Sequence, residues 1–303
     1  MWIKTFFASR KFMRSSLGVF AACCLIWTTA NPLRAQSEDA EDSGQQPDVQ
    51  EIVRRANHVA YYQGETGRAQ VKMEIVSADG QKRQREFTIL RWDRPRPENV
   101  KEAPGSVLSE TGEYMGGQRF YVYFHRPSDW AKTVFLVHKY LDKSDDRWLY
   151  QPALDLVNRI SAADKRNSFV GSHFFYEDVS GRQTDLDKHE LVNETDKYYV
   201  LKNTPKNPKY VEFDHYKMWI HKDSYVVVQT SYYNEQGREY RRQQTLEVKD
   251  IQGYKTITKQ KMIDLSDDSY TVMSYEDVTY DVEIDKGIFA ERYLKNPPQE
   301  YLK

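Results

Sequence analysis

The sequence has 303 residues, 39% of them hydrophobic and 14% aromatic, and its twenty-two tyrosines against fourteen glycines favour strands, which accept aromatic side chains on a pleated surface. That length allows one large β domain or two small ones, with enough chain to bury a core. The formal net charge is -1, but residues 1–35 hold five bases and no acid; taking these from 44 bases leaves 39 against 45 acids, so the remainder carries -6, which argues against a nucleic-acid binder held by phosphate contacts.

Residues 1–35 read as a secretory signal. Lys4, Arg10, Lys11 and Arg14 give a basic start, Leu17–Trp27 an apolar run too short to span a bilayer comfortably, and Leu33-Arg34-Ala35 a small-residue site that predicts cleavage after Ala35. Phe20-Ala21-Ala22-Cys23 loosely resembles a lipobox, so a lipoprotein anchored at Cys23 is the competing reading, and an uncleaved anchor a third. Both cysteines, Cys23 and Cys24, lie in this segment, so the chain from Gln36 has no disulfide and no thiolate site. Export without disulfides suits a bacterial periplasm. Residues 36–47 form an acidic leader with Glu38, Asp39, Glu41 and Asp42, and 48–303 read as a single domain.

Asp48 with Glu51 three residues on resembles a capping box, and Ile52, Val53, Ala56, Val59 and Ala60 follow helical spacing, which predicts a helix over Asp48–Tyr62. From Arg68 the period changes to two. Val71, Met73 and Ile75 alternate with polar residues, Ala78-Asp79-Gly80 signals a hairpin, and the return strand carries Phe87 and Ile89. Asp93–Gly117 has no period and reads as a lid or an insertion. Phe120, Val122 and Phe124 restart alternation, and Thr133–Leu141 is a further strand. Trp148 and Tyr150 share one strand face, and Pro152 ends that strand. The rhythm then breaks until Tyr198–Lys202. It resumes through Tyr210–His221, Tyr225–Tyr233, Arg238–Lys249, Tyr254–Asp264 and Tyr270–Asp281, and a helical pattern at Ile288–Leu294 closes the chain. Turns every 8–14 residues imply one antiparallel, strongly twisted sheet.

The sequence carries no G-x-S-x-G, phosphate loop or dinucleotide fingerprint, so no enzyme reading is supported and no cofactor is expected. His215 and His221, with Asp214, could form at most a weak metal site; ordinary strand histidines are the plainer reading. Asp185, Asp187 and Glu190 read as a solvated loop, because no glycine-punctuated calcium loop surrounds them. An outer-membrane barrel is excluded by charges on strand faces that would meet lipid.

The stretch Trp148-Leu149-Tyr150-x-Pro152-Ala153-Leu154, then Arg159-Ile160-Ser161, Ser168-Phe169-x-Gly171-Ser172 and Tyr176-Glu177-Asp178, resembles a bacterial family of outer-membrane lipoprotein-sorting proteins. These are LolA/LolB-like periplasmic carriers, in a branch often found beside RND-type exporters. The resemblance continues at Pro127-Ser128-Asp129, Thr133-x-Phe135-Leu136 and Phe289-x-Glu291-Arg292-Tyr293-Leu294, and departs from the family's pattern at Lys132, Val170 and His173. It implies a mainly β (α+β) fold: a half-open antiparallel β-barrel with helices covering its concave face. It also implies a non-enzymatic carrier of lipid or lipoprotein acyl chains, with an RND-type exporter or outer-membrane acceptor as partner. The alternative is an accessory or sensor subunit of such an exporter, acting by protein contact. Inward-facing candidates for the cavity are Val71, Met73, Phe87, Ile89, Phe120, Val122, Phe135, Val137, Trp148 and Tyr150. Arg159, Phe169, Gly171, Tyr176 and Asp178 belong to the expected lid, Arg159 and Asp178 as structural hydrogen-bonders.

Overall fold

Asp48 starts the first helix, α1 (Val49–Tyr61), because its carboxylate accepts the Gln50 N–H at 2.9 Å and so satisfies a donor that the helix cannot. Glu51 does not complete a capping box; it pairs with Arg54 and Arg55 instead. The computed structural model describes residues 48–95 and 115–303, so the expected signal, the leader and most of the Asp93–Gly117 segment lie outside the described residues. The apolar stripe Ile52, Val53 and Ala56 packs against Leu201 and Ile220.

Among the described residues thirteen strands build one antiparallel sheet. The first meander comprises β1 (Thr66–Val76), β2 (Lys82–Pro95), β3 (Met115–Arg126), β4 (Val134–His138), β5 (Asp146–Gln151) and β6 (Leu156–Ile160). The second comprises β7 (Asp187–Glu194), β8 (Tyr198–Pro205), β9 (His215–His221), β10 (Val227–Tyr233), β11 (Glu239–Ile251), β12 (Tyr254–Asp264) and β13 (Tyr270–Tyr280). Pairing of β1 with β13 joins the two meanders, for example at Met73 opposite Met273. The sheet does not close, and β6 and β7 are its free edges. Residues 161–186 run between those edges and contain the short helix α2 (Tyr176–Ser180). This is the half-open barrel, with α2 packed among the inner residues of the first meander and α1 against β8 and β9.

Direct cross-strand partners share a face. Val71 opposes Phe87, Phe87 opposes Phe124, Ile89 opposes Val122, Val122 opposes Phe135, and Phe135 opposes Leu149. This inner row is buried together with Phe169, Phe174 and Tyr176 of the covering segment. The alternate row, with Leu90, Tyr121, Leu136 and Trp148, faces outward, where Ile284, Ile288, Phe289, Leu294 and Leu302 cover it. Both faces of the first meander are therefore dry.

Three differences from the sequence pattern have physical causes. The edge strands β6 and β7 are not predicted, because each has one neighbour and buries little apolar surface. The expected closing helix Ile288–Leu294 is two 3-10 turns, Lys286–Phe289 and Glu291–Tyr293, separated by the extended backbone of Ala290. The strand expected from Tyr210 begins at His215, after a 3-10 turn at Pro208–Tyr210. No helix among the described residues is long and apolar enough to cross a membrane.

Candidate ligand cavity

Val71, Met73, Phe87, Phe120, Val122, Phe135 and Val137 come together on the inner face, with Ile89 half-buried beside them. Trp148 and Tyr150 do not. They share a face as expected, but strand alternation turns Leu149 inward and both aromatics outward. Trp148 packs edge-on to His138 at 4.9 Å, under the carboxy-terminal segment.

Much of the inner row is not hollow. Phe169 is fully buried and sits against Phe87, Phe124, Phe135 and Tyr176 at centroid distances of 6.2, 5.9, 5.4 and 5.7 Å. The covering segment thus plugs the region of β2 to β5 with its own rings.

Free space lies where β1, β13 and β12 meet beneath the last turn of α1. A cavity of about 200 Å³ is bounded there by Val59, Ala60 and Tyr61, by Ala69, Ile89 and Phe120, and by Asp178 and Val179 of α2. Its far wall is Gln243, Thr256, Ile257, Gln260, Tyr275, Val278 and Tyr280, with Gln63, Arg68 and Arg91 at the side. Ile89 and Phe120 are the members of the expected set that reach it.

The charged groups at the wall are hydrogen-bonded within the protein. Arg91 donates to Asp93 at 3.0 Å, to the Gly64 carbonyl at 2.9 Å, and to the carbonyls of Tyr61 and Gln63. Arg68 donates to the carbonyl oxygens of Tyr301 and Lys303. Asp178 accepts the Phe175 N–H at 2.7 Å and a bond from Arg241. The remaining polar wall is neutral: Gln243 donates to Gln260 at 2.6 Å, and Gln260 donates to Tyr275 at 2.6 Å. Burial pushes the Tyr275 hydroxyl up to about 12, so it stays protonated.

Two buried polar clusters hold the cover in place. In the first, Glu177 meets Lys165 at 2.7 Å, Arg166 at 3.3 Å and Arg182 at 3.4 Å. Arg166 continues to Glu212, and Arg182 to Asp187, which also accepts from the Tyr216 hydroxyl at 2.8 Å. Burial alone would raise the Glu177 carboxyl, but Arg166, Arg182 and Lys165 outweigh it and bring it down to about 2. Asp187, expected in a solvated loop, is buried in this cluster. In the second, Gln118 donates to Asp93 at 2.8 Å and to the Tyr61 carbonyl at 2.7 Å, while the Lys139 ammonium donates to the Ser180 carbonyl at 2.8 Å. Burial lowers Lys139 to about 8 and raises Asp93 to about 6 despite Arg91. Beside it, Gly181 adopts a φ of +79°, and a Cβ there would stand 2.6 Å from the Tyr61 ring. In the first cluster only Glu177 falls in a sequence motif, Tyr176-Glu177-Asp178, and the members of the second come from distant strands and turns.

Of the expected lid residues, Phe169, Tyr176 and Asp178 lie in the cover as described. Gly171 occupies an exposed turn at a φ of +77°, where a side chain would be strained. Arg159 is a correction: it sits on the edge strand β6, 67% exposed, bonded to Asp146 and over the outward ring of Trp148. His215 stacks on Tyr233 at 4.7 Å and bonds Asp214, while His221 bonds Ser224.

A family model described as an uncharacterized protein matches residues 116–296. No curated protein matches the sequence. Three solved structures are similar over most of their length. A DUF1329 family protein from Desulfovibrio piger is 24% identical, with a TM-score of 0.68, covering 80% of this chain and 96% of its own. A domain described as an outer membrane lipoprotein-sorting protein, from Vibrio parahaemolyticus, is 24% identical with a TM-score of 0.65, covering 81% and 97%. A LolA superfamily protein from Nitrosomonas europaea is 18% identical with a TM-score of 0.58, covering 82% and 99%. At these identities the likeness is one of fold.

Proposed function

The chain belongs to the family of uncharacterized proteins whose model spans residues 116–296 and has the LolA-like fold, and we propose that it is a periplasmic carrier of lipid or lipoprotein acyl chains. In this reading it moves its ligand between envelope membranes, by way of an RND-type exporter or an outer-membrane acceptor, and does no chemistry on it. The observation that carries the reading is the cavity between α1, α2 and the β12–β13–β1 wall. Apolar side chains there, including Val59, Ile89, Phe120, Val179 and Ile257, offer a dry surface to a hydrocarbon chain. Each buried methylene contributes about 0.8 kcal/mol before the costs of association. The space is smaller than the roughly 300–1,000 Å³ of most ligand sites, so a long chain would need the cover to shift.

Replacing Ala69, a buried wall residue, by Phe would fill the space from the strand side. The carrier reading expects a fluorescent fatty acid to bind the unaltered protein and to bind Ala69→Phe at least about tenfold more weakly. Equal binding by both would place the ligand elsewhere.

A second reading is favoured by one surface feature. Along the free edge near β6, Leu154 is 67% and Leu156 44% exposed. An unpaired strand edge with apolar neighbours suits docking to another protein, as an accessory or sensor subunit of an exporter would require. A specific envelope partner retained by the protein after complete delipidation would favour that reading.

A further inference from the structure

The polar strip on the cavity wall bears on what the ligand carries at its polar end. We propose that Gln243, Gln260 and Tyr275 form a recognition site for the uncharged carbonyl of an acyl ester or amide, so that the cavity prefers a neutral single-chain amphiphile to a free carboxylate. The inference rests on the carrier reading and specifies the ligand class of that same cavity.

The three side chains come from adjacent strands β11, β12 and β13 and line one wall. Their hydrogen bonds run in one direction, Gln243 to Gln260 to Tyr275, each at 2.6 Å. Both ends of that chain keep unused capacity. The Tyr275 hydroxyl donates onward to the Met273 sulfur at 3.6 Å, a weak acceptor that a ligand carbonyl would readily displace. At the other end, the Gln243 carbonyl oxygen accepts from no described residue. The donor end of the chain suits a ligand carbonyl oxygen, and the acceptor end a hydroxyl or amide N–H of the ligand head.

Charge points the same way. Arg68, Arg91 and Asp178 are the charged groups on the wall, and each is already satisfied by carbonyls or an opposite charge. A carboxylate in the strip would lose its hydration without gaining a free cation. A neutral ester or amide loses much less and gains the Tyr275 bond.

Displacement of a fluorescent acyl probe from the purified protein tests this, using monolaurin and laurate at about pH 8, where laurate is ionised. Monolaurin is expected to bind about tenfold tighter than laurate, and Tyr275→Phe or Gln260→Leu to erase most of that preference. The preference of the unaltered protein requires no variant to fold. Laurate binding as well as or better than monolaurin, or a preference unchanged in both variants, overturns the proposal and leaves the carrier reading standing. Failure of the probe and of both competitors to bind overturns the carrier reading and this site with it.

Discussion

Phe169 and Glu177 hold the same covering segment by different physics, and their loss should be felt differently. Phe169 is a fully buried ring among other rings, so Phe169→Ala leaves a cavity and is expected to cost about 3–5 kcal/mol at any pH where the protein folds. Glu177 is a buried carboxylate among three cations, and Glu177→Gln is expected to cost about 3–5 kcal/mol near neutrality by leaving them uncompensated. Its folded-state pKa is depressed from 4.5 to about 2, so its contribution is fully present above pH 4.5 and is lost as pH falls toward 2. Asp93 runs the other way: raised from 3.8 to about 6, it favours folding at acid pH and loses that contribution as pH rises through 6. Urea unfolding of both variants near pH 7 and near pH 3 separates the two mechanisms. The Phe169→Ala deficit should persist at low pH, while the Glu177→Gln deficit should shrink. Equal deficits at both values would contradict the assignment of Glu177 to an ion cluster.

At the scale of elements, the sequence makes the inner strands legible because their period-two rows meet a dry surface. Val71, Phe87, Val122 and Phe135 could be placed on one face from alternation alone. Which face Trp148 and Tyr150 occupy could not, since alternation fixes only that they share one. Both faces of the first meander are covered here, one by residues 161–186 and the other by the carboxy-terminal segment, so apolar character does not mark the inside. The polar wall was hidden for the converse reason: Gln243 and Gln260 look like solvent-facing positions, and a sequence does not distinguish bulk water from a cavity. The carboxy-terminal segment gives a prediction at this scale. Ile288, Phe289, Leu294 and Leu302 are buried against the outward row. Each is worth about 1.5–3 kcal/mol, so together they rival the whole stability of a domain. A chain ending after Asp285 should lose cooperative thermal unfolding and aggregate through the exposed Leu90, Tyr121 and Trp148 surface; a soluble product with an unchanged transition would contradict that.

For the whole molecule, the arrangement follows from one topological fact. Two meanders are joined through β1 and β13, so the middle of the chain, between β6 and β7, falls where the barrel stays open. Residues 161–186 therefore bridge the opening, anchored by aromatic rings to the first meander and by ion pairs to the second. Space is left beneath α1 at the joint between meanders. The half-open barrel was legible from the motifs in Arg147–Ser180, while the cavity's position and polarity came from the packing. The carrier reading is tested most directly by native mass spectrometry of the protein purified without detergent, followed by solvent extraction of what it holds. The account predicts a population carrying one lipid or acylated species per chain, released on extraction. A protein that emerges bare, and that takes up no fluorescent acyl probe when offered one, would contradict it.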